Sequence, residues 1–82
     1  MEYSSGQPSL SEIQTGEKAT ILSLKEGKEN SHRLTSLGFT PGVDVEIVQN
    51  FGRGPMIVSV RGTRVALGRR EAAKISVERG KV

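Results

Sequence analysis

His32 is the single histidine of the chain, and Glu29 stands three positions before it. On a helix this spacing places a carboxylate and an imidazole one turn apart on one face, an arrangement able to touch a transition-metal ion. Two ligands fall short of the three or more fixed N/O donors that a selective site uses. Glu29 and His32 are therefore weak metal candidates, and a solvated helix face is the plainer role for both. Other catalytic chemistry is poorly served. There is no cysteine, so thiolate metal sites, disulfides and thiol nucleophiles are excluded together, and a reducing compartment is the natural one. The lone imidazole has no recognisable Ser/Asp arrangement, and Asp44 and Glu46 alternate outward on one strand pattern without facing each other. Gly52-x-Gly54 is too short to cradle a phosphate, and no Lys-Ser/Thr pair follows it.

What remains is recognition chemistry. The net charge is +3, with four Lys/Arg against five Glu in residues 1–41 and eight Lys/Arg against four Asp/Glu in residues 42–82. Arg53, Arg61, Arg64, Arg69 and Arg70 fall on the turns and loops of the second half, where a guanidinium can reach outward to pair with carboxylate or phosphate. Phe51, in the Gly-rich loop beside Arg53, supplies an apolar anchor, and aromatic and Arg residues are the types that dominate interface energetics. These six residues form the candidate partner-binding set. A groove for proline-rich peptides needs several aromatics, and this chain has only Tyr3, Phe39 and Phe51. Nucleic-acid binding is disfavoured for the same reason, since one loop aromatic beside a moderate charge makes a poor stacking platform.

These residues must be held by a small scaffold. At 82 residues the chain is one domain, and a domain of this size buries only about 60% of the surface its unfolded form exposes. Its aliphatic runs are two or three residues long, far below the ~20 that cross a bilayer. Residues 1–8 read as a flexible lead-in without the basic and apolar regions of a signal peptide, and residues 79–82 as a frayed tail, leaving a domain over 9–78.

Within it, Ser9-Leu10-Ser11-Glu12 matches a capping box and predicts one helical turn that tucks Leu10 and Ile13 under the fold. Residues 18–25 predict a strand with a bulge or with two buried faces. Leu34 and Leu37 are three apart, with Asn30 or Ser31 available as the N-cap of a short helix. Gly38 and Phe39 then suit a Schellman ending, and Thr40-Pro41-Gly42 a type II turn that launches a strand with Val43, Val45 and Ile47 on one face. Met56–Val60 and Val65–Leu67 form a hairpin around Arg61-Gly62-Thr63, a short helical stretch covers 69–74, and Ile75–Glu78 is the last strand. Five short antiparallel strands and one short helix, with one or two helical turns, make a mainly β chain that avoids open edges by curling into a small barrel.

The segment Leu34-Thr35-Ser36-Leu37-Gly38-Phe39-Thr40-Pro41-Gly42 and the hairpin Arg61-Gly62-Thr63-Arg64-Val65-Ala66-Leu67 closely resemble the FeoA family of small ferrous iron transport proteins, and the likeness runs from about Leu10 to Glu78. The resemblance implies an SH3-like barrel with a helix inserted after the first strand. It further implies a non-catalytic cytoplasmic accessory protein of bacterial iron homeostasis, whose partner is the cytoplasmic GTP-binding part of the membrane iron permease. The chain would then lie at the inner membrane only through that partner, take no small-molecule substrate, and hold no intrinsic cofactor beyond transient contact with Fe(II) or another transition metal. Similar domains occur at the C-terminus of metal-dependent repressors, so a metal-sensing regulatory domain is the alternative, beside a nucleic-acid-binding small β-barrel.

Overall fold

The computed structural model describes residues 8–25 and 28–80, with the side chains of 28–31 outside the description. Chain order is a 3₁₀ turn at Leu10–Glu12, β1 (Lys18–Leu24), α1 (Lys28–Ser36), β2 (Asp44–Gln49), β3 (Met56–Val60), β4 (Thr63–Leu67), α2 (Arg69–Ala73) and β5 (Ile75–Arg79). The five strands form one antiparallel sheet in the order β4-β3-β2-β1-β5.

Alternation along the strands sets which face is buried. Ala19 and Ile21, Val45 and Ile47, Met56, Val58 and Val60, Val65 and Leu67, and Ile75 and Val77 all point inward and are buried. The sheet curls around them with the help of two irregularities, one between Ile21 and Ser23 in the β1–β5 ladder and one between Ile47 and Gln49 in the β2–β3 ladder. Each extra residue sharpens the local twist. Leu10, Ile13, Leu34, Phe39 and Ala72 complete the core from the non-strand elements.

The expected local features at the first turn and after α1 are present. Ser9 N–H donates to Glu12 Oε2 at 3.0 Å, the reaching-back half of a capping box. At the end of α1, Phe39 N–H donates to Leu34 O at 3.0 Å and Gly38 N–H to Thr35 O at 3.0 Å. These are the two bonds of a Schellman motif, and both members of its hydrophobic contact, Leu34 and Phe39, are fully buried. Gly38 has φ +108°, a conformation that L side chains rarely adopt, and a Cβ there would lie 2.9 Å from Arg61 Cδ. The next turn closes with Val43 N–H donating to Thr40 O at 3.0 Å, with Gly42 at φ +92° as a type II turn demands.

Four expectations need correction. First, α1 begins at Lys28, so Asn30 and Ser31 lie inside the helix and neither is its N-cap. Second, the boundary at 78 is too early. Arg79 pairs with Ala19 in the ladder, and Gly80 N–H donates to Lys18 O at 2.7 Å, because β1 extends far enough to offer these partners; residues 81–82 lie outside the described residues. Third, Pro8 is not lead-in, since its carbonyl accepts from Val77 N–H at 3.0 Å. Fourth, curling does not remove the sheet edges. β4 and β5 stay unpaired to each other, and β5 is covered on its outer side by Pro8 and by a Ser9–Ser76 bridge.

Candidate functional site

The β2–β3 connection carries the densest polar network among the described residues, and Asn50 is its centre. Its backbone N–H donates to Thr15 Oγ1 at 2.8 Å, and its carbonyl accepts from the same hydroxyl at 3.2 Å. Its side-chain amide donates to Ile13 O at 2.7 Å and Ser11 O at 3.2 Å. Asn50 Oδ1 in turn accepts from Gly52 N–H at 2.9 Å and from Arg69 Nη2 at 2.6 Å. The Gly52 bond is an Asx-turn, the device by which an Asn side chain bends its own backbone two residues on.

Arg69 locks the other side of the loop. Its Nε donates to Gly54 O and its Nη1 to Ser11 O, each at 3.3 Å. The guanidinium therefore spans the first helical turn, the β2–β3 loop and α2. This corrects the expectation that Arg69 reaches outward to a partner: it is half-buried and committed to internal acceptors. Those three acceptors are neutral oxygens, so its positive charge is not cancelled by them. Glu71 follows Arg69 by two residues and Glu12 adjoins Ser11, and both carboxylates have bonds of their own. Glu12 takes the Ser9 N–H, while Glu71 pairs with Arg33 and accepts from Gly68 N–H at 3.2 Å.

Between the two fixed points stands Phe51, the one exposed large hydrophobic among the described residues, at 75% of its full accessibility. Arg53 and Arg70 are exposed and have no polar partner among the described residues. The remaining candidates fall elsewhere. Arg61 sits in the two-residue β3–β4 turn with φ +52°, its aliphatic stem lying against Gly38. Arg64 is on β4, not in a turn, and is paired in register with Ser59. Because Met56 pairs with Leu67 at one end of this hairpin and Val60 with Thr63 at the other, the Phe51 loop and the Arg61 turn are separated by the length of β3, about 13 Å at 3.3 Å per residue. The arginines thus form two groups and not a single face.

Among the described residues no metal centre is assembled. His32 is exposed on α1, the Glu29 side chain lies outside the description, and no group of three or more His, Cys, Asp or Glu side chains converges among the described residues. No described helix is long and apolar enough to cross a membrane.

Asn50 and Thr15 are the members of this site that residue types alone did not bring forward. The available signal was Asn two positions before a glycine at the end of a strand, which marks an Asx-turn; nothing in the sequence shows that Thr15, Ser11 and Arg69 meet it.

A curled five-stranded antiparallel sheet with a helix between β1 and β2 is the architecture of a small SH3-like barrel. The family model for the FeoA domain matches residues 9–79, and the chain belongs to the FeoA family, which is involved in ferrous iron transport. A curated relative from Methanocaldococcus jannaschii, named for Fe(2+) transport protein A, is 35% identical over 63 residues, or 77% of this chain and 76% of the relative. The crystal structure of an iron uptake regulatory protein (FeoA) superposes with a TM-score of 0.84 at 31% identity, covering 90% of this chain and 99% of that one. Stenotrophomonas maltophilia FeoA, complexed with zinc and described as a prokaryotic SH3 domain protein put forward as a ferrous iron transport activating factor, gives a TM-score of 0.74 at 33% identity, covering 85% and 88%.

Proposed function

We propose that this protein is a non-catalytic cytoplasmic accessory factor that binds the cytoplasmic GTP-binding part of the ferrous iron permease and modulates its assembly or activity. The observation that carries the reading is the charge left available on the outside: Arg53, Arg61, Arg64 and Arg70 are exposed and without a polar partner among the described residues, on a chain matched over 9–79 by the FeoA model. Unpaired guanidinium groups steer a protein toward an acidic surface and fix its orientation there. In this reading Fe(II) is the cargo of the permease, and any contact it makes with the chain is transient.

Co-purification with the permease, together with Fe(II) uptake by a deletion strain, tests the proposal. The expected result is a retained complex and reduced uptake that is restored by the wild-type chain. No complex and unchanged uptake would overturn it, as would salt-sensitive binding to DNA or RNA in place of the permease. Within the same assay, the double change Arg61→Glu and Arg64→Glu should weaken the complex while leaving the fold intact, with the loss largest at low ionic strength.

A further inference from the structure

We infer that residues 51–54 form a preorganised plug that inserts Phe51 into an apolar socket rimmed by carboxylates on the partner protein, with Asn50 and Arg69 acting as positioning residues. The inference rests on the reading that the partner is the GTP-binding part of the permease, and supplies the recognition element for it.

Exposure of Phe51 is imposed by structure. The backbone is bonded on both sides of the ring, Asn50 N–H to Thr15 Oγ1 at 2.8 Å before it, and Gly52 N–H to Asn50 Oδ1 at 2.9 Å and Gly54 O to Arg69 Nε at 3.3 Å after it. Asn50 is itself held by Ser11, Ile13 and Thr15. The ring therefore stands in solvent, at 75% exposure, on a loop whose ordering cost was met during folding. Preorganisation of this kind lets an aromatic anchor contribute to affinity without the loss of freedom a floppy loop would suffer.

Charge specifies the rim of the socket. Arg53 is exposed two residues beyond the ring, Arg70 follows the locked Arg69, and the Arg69 guanidinium beneath the loop touches only neutral oxygens. An exposed ring on a loop that carries the unpaired Arg53 and is braced by the Arg69 guanidinium suits an apolar pocket with Asp or Glu at its mouth. A lipid surface is the poorer fit, because one aromatic on a short fixed loop lacks the broad apolar face with which interfacial segments bind bilayers.

The test uses the full chain and the purified GTP-binding domain of the cognate permease in isothermal titration. Phe51→Ser should weaken binding at least tenfold with an unchanged melting temperature, and Phe51→Leu should retain most of it. Arg53→Glu should weaken binding by a factor that shrinks as salt rises. Asn50→Ala should lower the backbone order parameters of residues 51–54 and weaken binding by the folded protein although Phe51 is intact; a merely structural role would lower the melting temperature and leave that affinity unchanged. Tight binding by the wild type with equal affinity for Phe51→Ser would overturn the plug while leaving the proposed partner standing. Absence of any wild-type binding would remove the partner, and the plug with it. Phe51-dependent binding to phosphatidylglycerol vesicles without binding to the domain would assign the loop to the membrane and overturn the protein socket.

Discussion

Phe39 and Phe51 both stand beside a glycine of positive φ, Gly38 at +108° and Gly52 at +85°, and both lie in loops adjoining a strand. Phe39 is fully buried and Phe51 is 75% exposed. The difference comes from what each backbone is bonded to. At the end of α1, the Schellman bonds to Leu34 and Thr35 turn the chain back over its own helix, so the next side chain falls on the apolar face that Leu34 already occupies. After β2, the loop is bonded sideways to Asn50 and Arg69, so polar groups line its inner side and the ring stays outside the core. One aromatic is a core residue placed by a helix cap; the other is an exposed group placed by a hydrogen-bonded cradle.

That contrast is open to direct attack. Phe39→Ala should have the largest effect, a loss of about 3–5 kcal/mol in urea denaturation, since it removes a fully buried ring and leaves a cavity. Gly38→Ala should cost about 1–3 kcal/mol through the strained φ, and because the Cβ also meets the flexible Arg61 stem, pairing it with Arg61→Ala should recover only a small part. A full recovery would show that crowding and not backbone conformation governs the corner. Asn50→Ala should cost about 1–3 kcal/mol by leaving half-buried acceptors and Arg69 without their partner. Phe51→Ser should change stability by no more than about 0.5 kcal/mol. A loss approaching that of Phe39→Ala would mean the ring is packed, and the division between the two regions would fail.

Much of the scaffold could be read without coordinates because its signals are local. The Leu34–Val43 corner is written in residues that touch their near neighbours: Leu34 with Phe39, Gly38 with Thr35, Thr40 with Val43. The phase of β3, and that of β2 as far as Ile47, follows from alternation. Asn30 and Ser31 are cap residues by type, and the start of α1 differs because the helix extends two residues before Asn30. Residue types alone place Arg79 in the tail, because a strand end depends on its partner, here Ala19, sixty residues away in the chain. The same limit applied to the site. Phe51 and Arg53 were visible as an aromatic and a cation in a Gly-rich loop, whereas the opposite fates of Arg69 and Arg70, adjacent and identical in type, were not.

The sequence by itself determined the class of the fold and the capped corner after α1, since these depend on residue type, alternation and bonds spanning a few positions. Only the tertiary structure decided that Arg69 is a brace beneath the loop, that Arg61 and Arg64 lie a strand length away from it, and that Asn50 ties the loop to the first helical turn. Those outcomes depend on which backbone carbonyls remain unpaired when the sheet curls, and such orphaned acceptors exist only once distant segments have been brought together.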